Sequence, residues 1–369
     1  MTQHIPKVHL IAGARPNFMK IAPLMRRLSE EDWCRPVLIH TGQHYDAAMS
    51  DIFFTQLGIP APDHNLAVGS GPHGAQTGAI MQAYEALCRD HRPDWIIVVG
   101  DVNSTLACSL VAAKDGIPVA HLEAGLRSFD RTMPEEINRI VTDTLADLLW
   151  TPSPDADDNL KREGIDAARI ERVGNIMIDS LVSMRHRFDT ERHWHVLGLD
   201  PGAYGVVTLH RPSNVDDAAT LAAIVEALTA AARDLPLVLP LHPRTSAMLE
   251  TFGLSDRLRK APGIHAVPPL GYIPFMSLVT RARLVITDSG GLQEETTYLR
   301  IPCLTLRDNT ERPVTIHEGT NRLIRPADLG TAIGAALAAP IDSDRPAPAL
   351  WDGNTAARVA ASLKNRMSA

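Results

Sequence analysis

Residues 95–105 read WIIVVGDVNST, and residues 119–127 read VAHLEAGLR. Each stretch is a short apolar run, of the kind buried on both faces of a parallel sheet, that ends in a turn carrying a carboxylate. Residues 134–139, PEEINR, then open a helix. Because the carboxyl ends of parallel strands meet at one edge of a sheet, where ligands bind, these carboxylates are predicted to converge on a small molecule.

The same alternation of apolar run and helix-length segment extends along the whole chain. Further strand-like runs lie at residues 8–12, 37–40 and 148–150, and helix-like segments lie near residues 19, 47 and 76–88. The alternation restarts with strand-like runs at residues 204–209, 237–241, 284–287 and 303–306. This pattern predicts an α/β protein with two parallel sheets, each covered by helices on both faces, and a ligand cleft between the two domains.

The length of 369 residues also favours two domains. A polar helical segment at about residues 178–195 separates the two series of strands, so we place the boundary near residues 173–180. We predict one domain over residues 1–174 and a second over residues 175–354. A loop rich in Pro and Asp, residues 340–348, precedes a last helix predicted at residues 355–367.

Composition excludes several classes of function. The formal net charge of −7 and the lack of a basic stripe argue against a nucleic-acid-binding protein. The four cysteines have no metal or redox spacing, which fits a reducing cytosol. No apolar run approaches the roughly 18 residues that a membrane span needs. Residues 1–7 lack the apolar core of a signal peptide. We therefore expect a soluble, cytoplasmic protein with no membrane partner.

The carboxylates of the opening stretch have a structural and a functional interpretation. A single carboxylate at a strand end is usually a helix cap or a salt-bridge partner, and an acid after Pro134 also suits the helix dipole. One of Glu135 and Glu136 is thus accounted for structurally. Several carboxylates at consecutive strand ends favour function, because acids confined together shift one another's pKa and can act as acid and base. We therefore retain Asp101, Glu123 and Glu135 as candidates.

Two glycine-containing loops are candidate phosphate sites. Residues 12–20, AGARPNFMK, place a turn and a helix start beside Arg15 and Lys20, and free N–H groups there would suit a phosphate. The alternative is an ordinary turn with solvated basic residues. A GxGxxG pattern at residues 69–74 follows no apolar strand, so it is interpreted as a surface loop rather than a dinucleotide site.

The second half of the chain carries the strongest nucleotide signal, at residues 286–295, ITDSGGLQEE. A strand ends, Ser289 and two glycines open a helix, and acids follow within its first turns. Glycines let a phosphate approach backbone N–H groups, and a later acid can bind a ribose diol. Two further loops, residues 208–212 and 240–244, each place a His and an Arg just after a strand, which suits a diphosphate or, alternatively, a solvated loop.

Together these motifs resemble the non-hydrolysing UDP-N-acetylglucosamine 2-epimerases nearly end to end. The motifs that carry the resemblance are residues 13–16 (GARP), 41–44 (TGQH), 100–105 (GDVNST), 123–127 (EAGLR), 134–139 (PEEINR), 210–211 (HR), 288–295 (DSGGLQEE) and 310–313 (TERP). The family has a GT-B-like fold, with two Rossmann-like domains and the nucleotide in the central cleft. The resemblance also implies that the C-terminal helix, residues 355–369, packs back on the first domain.

The resemblance implies reversible inversion at C2 of a UDP-sugar without a cofactor or a metal ion. UDP is eliminated across C1–C2 to give a 2-acetamidoglucal and is then added back with the opposite configuration at C2. By the family pattern, the catalytic candidates are Asp101, Glu123, Glu135 and His210. The candidates for binding the UDP-sugar are Arg15, Lys20, Arg139, His242, Arg244, Ser289, Gly290, Gly291, Glu295 and Arg312. A homodimer supplying a surface polysaccharide pathway is also expected.

Some positions depart from the family pattern. Residues 210–214 read HRPSN where many members have HRREN, and residues 311–314 read ERPV where many have ERPE. Asp46 and Ala75 occupy the places of two residues that bind an activating second UDP-N-acetylglucosamine in some bacterial members, so that site is not expected. The residue 43–46 segment and the glycine-rich loop are similar to relatives acting on diacetamido-uronic UDP-sugars.

Four alternatives therefore stay open beside the 2-epimerase. One is a 2-epimerase of a diacetamido-uronic UDP-sugar, and another is a hydrolysing relative that releases free N-acetylmannosamine. A GT-B-type glycosyltransferase is less favoured, because the three clustered acids suit elimination better than transfer. A regulator that binds a UDP-sugar would have no need of the three acids together.

Overall fold

The structure is a computed structural model that describes residues 4–43, 57–340, 342 and 344–368. The chain forms two compact units, which we call unit 1 (Met1–Ser180 with Ala349–Ala369) and unit 2 (Leu181–Pro348). The domain limits at residues 174 and 354 stay a prediction; the limits of the compact units lie at residues 180 and 348. Within the described residues, no helix is both long enough and apolar enough to cross a membrane.

The described part of unit 1 contains one seven-stranded parallel sheet. Its strands are β1 (Lys7–Ala12), β2 (Arg35–His40), β3 (His64–Asn65), β4 (Trp95–Val99), β5 (Val119–Leu122), β6 (Leu148–Thr151) and β7 (Ile170–Arg172). Their order across the sheet is β3-β2-β1-β4-β5-β6-β7. Val99 at the end of β4 pairs with Leu122 at the end of β5, so the residues that follow them lie side by side at one edge.

Helices cover this sheet, as the apolar strands require. They are α1 (Arg15–Ser29), α2 (His73–Asp90), α3 (Asn103–Lys114), α4 (Pro134–Leu145) and α5 (Pro154–Arg162). Helix α6 (Ile176–Glu191) begins in unit 1 and continues into unit 2. A 3-10 turn, Ala167–Arg169, precedes β7. Helix α1 begins at Arg15, four residues before the predicted start near Met19, because Pro16 is in the first helical turn, where a missing N–H costs nothing.

Unit 2 contains a six-stranded parallel sheet in its described residues. Its strands are β8 (Gly205–Thr208), β9 (Leu237–Pro240), β10 (Ile264–Val267), β11 (Leu284–Thr287), β12 (Cys303–Thr305) and β13 (Asn321–Leu323), in the order β10-β9-β8-β11-β12-β13. Thr208 pairs with Thr287, and Thr287 with Thr305, so three neighbouring strands end together. The motifs after β8, β11 and β12 therefore share one edge.

The helices of unit 2 pack around this second sheet. They are α7 (His193–Val196), α8 (Pro212–Val215), α9 (Ala218–Ala231), α10 (Pro243–Thr251), α11 (Ser255–Arg259), α12 (Tyr272–Val279), α13 (Gly290–Leu299), α14 (Val314–His317) and α15 (Leu329–Ala338). A 3-10 turn, Pro326–Asp328, precedes α15. The apolar sides of α9 and α15 lie over β8, β9 and β11 in one buried cluster, which fixes the helices against the sheet.

The last helix, α16 (Thr355–Ser368), belongs to unit 1. The indole Nε1 of Trp150 donates to Ser362 Oγ at 2.9 Å. The carboxylate of Asp179 accepts hydrogen bonds from the N–H groups of Thr355 and Ala356, at 3.1 and 2.8 Å, and so caps the helix. The helix also contacts α1, which carries residues of the candidate site.

The fold class is confirmed, since both units are α/β with a parallel sheet. Four short strands were not predicted: β7, β10 and β13, and also β3, which lies inside residues 62–66, where a loop was expected. That expectation was wrong because β3 contains only two polar residues, paired with the end of β2. The helix predicted near residue 47 lies outside the described residues.

Candidate active site

Glu123 has the most unusual setting of the predicted acids. It follows β5 in a left-handed backbone conformation, with φ +73°, which is uncommon for a residue other than glycine. Its buried carboxylate accepts a hydrogen bond from Lys20 Nζ through Oε2. Among the described residues, Oε1 has no hydrogen-bond partner. A buried carboxylate with a strained backbone and one uncommitted oxygen is typical of a reaction centre rather than of a structural ion pair.

Gly100 leaves the space in which Lys20 and Glu123 meet. Its φ is +69°, and a Cβ added to it would lie 3.1 Å from Lys20 Nζ and 3.4 Å from Glu123 Oε2. A larger residue would therefore strain the backbone and crowd the ion pair. Lys20 is buried and its observed partner is the carboxylate. Its predicted contact with a diphosphate stays a prediction.

Asp101 and Glu136 are both held by Arg139. The guanidinium of Arg139 is buried, with Nη2 bonded to the Asp101 carboxylate and Nη1 at 2.8 Å from Glu136 Oε2. Glu136 is enclosed and also accepts the N–H groups of Ser128 and Phe129, each at 2.9 Å. Glu136 thus holds the loop before α4. The predicted contact of Arg139 with substrate stays a prediction.

A cavity of about 270 Å³ in unit 1 is lined by both Asp101 and Glu135. Glu135 is only partly buried, in contrast to its enclosed neighbour Glu136. The amides of Gln43 and Asn138 also line this cavity, and Asn138 Nδ2 donates to the Asp101 main-chain oxygen at 2.8 Å. Carboxylates and amides together suit a ligand with several hydroxyl or amide groups.

The turn after β1 differs from the expected phosphate site. Arg15 is the first residue of α1. The side chain of Asn17 accepts, through Oδ1, the N–H groups of Gly13 and Ala14 at 3.2 and 3.0 Å. The N–H groups expected to be free for a phosphate are therefore occupied. The role of Arg15 in binding the diphosphate stays a prediction.

In unit 2, Asp288 orients His210. Asp288 is fully buried after β11, and Oδ2 accepts the N–H groups of His210 and Arg211, each at 2.9 Å. Burial alone would raise the pKa of Asp288, but hydrogen bonds and charge from His210, with the N–H of Arg211, outweigh it and lower the pKa. The ionised carboxylate lies 2.8 Å from His210 Nδ1, so it fixes the imidazole with Nε2 directed away from Asp288.

The N-terminus of α13 lies beside a cluster of buried charges. Gly290 and Gly291 are the first two residues of this helix, and Ser289 precedes them. A Cβ on Gly290 would lie 2.7 Å from Glu311 Oε1 and 3.2 Å from Arg312 Nη1, so only glycine fits without displacement. The first N–H groups of a helix and a nearby arginine together form a favourable site for a phosphate.

Glu295 lies in the second turn of α13 and is buried. Burial raises the pKa of Glu295 to about 7, although the hydrogen bond from the Tyr272 hydroxyl to Oε1, at 2.7 Å, opposes the shift. The nearby carboxylate of Glu294 raises the pKa further. Glu295 thus changes its charge near neutral pH, and ligand hydroxyl groups that donate to it would favour the ionised form.

His242 and Arg244, which were also predicted to bind the nucleotide, contact other residues of the protein. The ring of His242 lies 5.7 Å from that of His210, and its Nδ1 accepts the N–H of Arg244 at 3.2 Å. Burial and the neighbouring His210 lower the pKa of His242. Arg244 is exposed and pairs with Asp216, with Nε at 2.8 Å from Oδ1. His242 is therefore the better placed of the two to contact a ligand near His210.

The structure thus gathers the predicted residues into two sets. In unit 1, Asp101 follows β4, Glu123 follows β5 and Glu135 lies in the first turn of α4. In unit 2, Ser289, Gly290 and Glu295 lie on or next to α13. Asp288 was quoted in a motif without being predicted as a site residue, and its position between a strand end and Ser289 was the available signal. Tyr272 was missed because it comes from α12, for which no motif was recognised. Among the described residues, no group of three His, Cys, Asp or Glu side chains could hold a metal ion.

Carboxylates at the sheet edge of one α/β unit and a helix N-terminus suited to phosphate in the other are the features expected of an α/β enzyme that acts on a nucleotide-sugar. A sequence model described as UDP-N-acetylglucosamine 2-epimerase matches residues 26–364. The chain belongs to this family of 2-epimerases. The resemblance drawn from the motifs is thereby confirmed.

Individual relatives support the same assignment over most of the chain. The UDP-N-acetylglucosamine 2-epimerase of Methanocaldococcus jannaschii is 42% identical over 325 residues, covering 86% of this chain and 88% of the relative. The UDP-2,3-diacetamido-2,3-dideoxy-D-glucuronate 2-epimerase of Pseudomonas aeruginosa is 43% identical over 322 residues, with the same coverage. The crystal structure of the M. jannaschii enzyme in complex with UDP-GlcNAc and UDP matches with a TM-score of 0.87, at 39% identity, over 97% of this chain and 99% of that one.

Proposed function

We propose that this chain catalyses the reversible 2-epimerisation of UDP-N-acetylglucosamine to UDP-N-acetylmannosamine. The observation that carries the proposal is the setting of Glu123: buried, paired with Lys20, and with Oε1 unengaged among the described residues. The reaction needs a group that removes a weakly acidic proton from carbon. A carboxylate fixed in this way is suited to that task.

The proposed reaction is an elimination followed by an addition. A base takes the C2 proton, the C2–H electron pair forms the C1–C2 double bond, and the C1–O bond breaks with its electrons leaving on UDP. The product is 2-acetamidoglucal. UDP then attacks C1, and C2 receives a proton on the opposite face. Inversion thus requires proton-transferring groups on both faces of the sugar, and we assign them among Glu123, Asp101 and Glu135.

We assign the UDP moiety to unit 2. In this proposal, the N-terminal N–H groups of α13 and Ser289 bind the diphosphate together with Arg312. His210, held at Nδ1 by Asp288, donates a hydrogen bond from Nε2 to the departing diphosphate. Glu295 accepts hydrogen bonds from the ribose hydroxyl groups. Lys20 and Arg139 hold the carboxylates of Glu123 and Asp101 in place, a role consistent with their ion pairs.

Proton NMR in D2O tests the proposal. The protein is incubated with UDP-N-acetylglucosamine, and we expect deuterium at C2 of both recovered UDP-sugars, together with a signal from UDP-N-acetylmannosamine. Free N-acetylmannosamine and UDP as the only products would instead indicate the hydrolysing reaction. UDP binding without exchange at C2 would contradict both, and transfer of the sugar to an added acceptor would indicate a glycosyltransferase.

A second candidate substrate is a UDP-2,3-diacetamido-2,3-dideoxy-D-glucuronic acid. The observation that favours it is the 43% identity to the P. aeruginosa enzyme that bears this name, which is similar to the 42% identity to the M. jannaschii enzyme. Measuring kcat/KM for both UDP-sugars under the same conditions decides between them. A ratio above about tenfold in favour of the uronic sugar would replace the proposed substrate, because it corresponds to about 1.4 kcal/mol of preference in the transition state.

We further propose that the enzyme works as a cytoplasmic homodimer in a pathway of surface polysaccharide synthesis. The support is the family resemblance together with four cysteines that are all free and buried. Light scattering coupled to size-exclusion chromatography tests the dimer, because a mass near the 40.2 kDa of one chain would contradict it.

A further inference from the structure

A fully buried histidine lies beneath the candidate acids of unit 1. His121 is on β5, two residues before Glu123, and none of its surface is exposed. Its Nε2 lies 2.8 Å from the main-chain oxygen of Gly100, the residue directly before Asp101. Its Nδ1 lies 2.6 Å from Asp143 Oδ1 on α4. One imidazole thus links the β4 turn, β5 and α4.

Both ring nitrogens of His121 face groups that accept hydrogen bonds. The Gly100 carbonyl oxygen can only accept. Asp143 is ionised, because hydrogen bonds and charge from His121 and Arg127 outweigh the effect of burial and lower the pKa of the carboxyl group. Each ring nitrogen therefore lies within hydrogen-bond distance of an acceptor, and the buried imidazole bridges the two.

Asp143 extends the linkage to the turn that carries Glu123. Its Oδ2 accepts the N–H of Gly125 at 3.0 Å and lies 2.7 Å from Arg127 Nη1. Arg127 in turn binds both oxygens of Glu163, at 2.8 and 2.7 Å. His121, Asp143, Arg127 and Glu163 thus form one connected network, and such a fully paired network has one favoured geometry.

The three elements joined in this way are the ones that carry the candidate acids. Asp101 follows Gly100, Glu123 lies between His121 and Gly125, and Glu135 is on α4 with Asp143. His121 cannot touch substrate, because it is enclosed on all sides by protein. A shift of one element relative to the others would change the distances between acids, and misplacement by about 1 Å can cost about 100-fold in rate.

We propose that His121, held by Asp143, is a positioning residue that fixes the spacing of Asp101, Glu123 and Glu135 for proton transfer at C2. The inference rests on the proposed function. Its effect is on the chemical step and not on the binding of UDP, which is assigned to unit 2. Replacement of His121 therefore lowers kcat while KM and the affinity for UDP stay close to those of the unchanged protein.

Two variants separate the two hydrogen bonds. In His121→Asn, the side-chain amide can still donate to Asp143 but cannot reach Gly100, whereas in His121→Gln it can reach Gly100 in place of Nε2. The matched control is His9→Asn. His9 is equally buried, on β1 of the same sheet, and its Nδ1 lies 3.1 Å from the Tyr84 hydroxyl. Burial lowers the pKa of His9 to about 4, so this control removes a neutral histidine.

The measurements are C2 exchange in D2O, kcat and KM, UDP affinity by calorimetry, and Tm. The unchanged protein is measured first, and absence of exchange there contradicts the proposed function rather than the positioning role. We expect His121→Asn to lose roughly 10- to 100-fold in kcat and exchange, and His121→Gln to lose less, with UDP affinity within about twofold for both. His9→Asn should lower Tm and leave kcat unchanged.

Three results would overturn the positioning role. One is exchange by His121→Asn within about twofold of the unchanged protein. Another is a loss of UDP affinity in parallel with kcat in both variants, which would indicate general unfolding. The third is an equal loss of kcat in His9→Asn at a similar Tm, since any buried histidine of the sheet would then have the same effect.

Discussion

The two sheets of this protein have the same architecture and present different chemistry at their carboxyl edges. In unit 1 the edge carries carboxylates matched with cations: Glu123 with Lys20, and Asp101 with Arg139. In unit 2 it carries a glycine helix start at Gly290 and a histidine oriented by a buried acid. Parallel α/β units place side chains at the edge, and the residue types then decide whether that edge moves protons or binds an anion.

The difference also extends to how each edge tolerates strain. Unit 1 holds Glu123 with φ +73°, although a residue with a side chain avoids this conformation. In unit 2 the helix start needs no such conformation and instead uses the absence of a Cβ at Gly290. The edge of unit 1 thus holds a strained candidate catalytic residue, whereas the edge of unit 2 offers open backbone for binding. Substitutions in unit 1 should therefore lower kcat, and substitutions in unit 2 should raise KM.

The largest effect is expected from Glu123→Gln. The variant keeps the shape of the side chain but removes a base, so exchange at C2 should fall by about 1,000- to 10,000-fold. UDP affinity should not change, because unit 2 is assigned to bind it. Exchange measured by NMR and UDP binding measured by calorimetry check this pair of results.

The control for this substitution is Asp157→Asn. Asp157 is also buried, and it lies 2.5 Å from Arg172 in an ion pair of unit 1 that includes no candidate acid. Retained exchange in Glu123→Gln, or an equal loss in Asp157→Asn, would remove Glu123 from the catalytic group. Asp101→Asn and Glu135→Gln, measured in the same way, show which acid serves the opposite face of the sugar.

Gly290→Ala should alter the other edge. Its new Cβ would lie 2.7 Å from Glu311 Oε1, and relief of this overlap must move the helix start or the acid that holds Arg312. If this movement costs about 2 kcal/mol of binding free energy, UDP affinity falls by about 30-fold. KM should rise while exchange at saturating substrate stays near normal.

The matched control is Gly334→Ala in α15, where an added Cβ would have no other atom within 4 Å. A lower kcat at unchanged KM would contradict the division between the edges.

Glu295→Gln tests the nucleotide edge through pH. Glu295 has a pKa of about 7 in the folded chain and an ordinary value of 4.5. The folded state therefore binds the proton more tightly than the unfolded state does. Below pH 4.5 the carboxyl group is protonated in both states and its burial does not reduce the free energy of unfolding. Between pH 4.5 and about pH 7 the loss of stability grows, and above pH 7 it stays at roughly 3 kcal/mol. The glutamine variant should gain stability relative to the unchanged protein as pH rises from 5 to 8.

The same variant should bind UDP less well. Loss of a charged acceptor for the ribose costs roughly tenfold in affinity at pH 8. Because ribose hydroxyl groups favour the ionised form, UDP binding to the unchanged protein should release a proton near pH 7. Calorimetry in two buffers of different ionisation enthalpy measures this release relative to the glutamine variant. Equal proton release by both proteins would exclude Glu295 as its source.

The sequence predicted where the strands of the two sheets end better than it predicted which side chains contact one another there. Apolar runs ending in GD, EAG and DSGG located the strand ends, because the periodicity of parallel strands is visible in a single sequence. Short strands such as β3 and β10 were missed, since their burial depends on neighbours distant in the chain. The pairing of Lys20 with Glu123, and the use of Asn17 on the Gly13 and Ala14 N–H groups, likewise depend on which side chains meet in space. Basic and polar residues that suit a phosphate by type are committed there to the protein itself.

Arg244→Ala is expected to have the smallest effect and to locate the limit of the nucleotide edge. Arg244 was predicted to hold the diphosphate, but its guanidinium is exposed and pairs with Asp216. An exposed ion pair contributes little, so the variant should change Tm slightly and UDP affinity by less than about threefold, and that change should disappear at high salt.

Arg257→Ala is the control, because Arg257 forms a similar exposed pair with Glu226, 3.8 Å apart. A loss of more than about tenfold in UDP affinity for Arg244→Ala alone, persisting at high salt, would mean that Arg244 leaves Asp216 to contact the diphosphate directly. The nucleotide edge would then extend to α10.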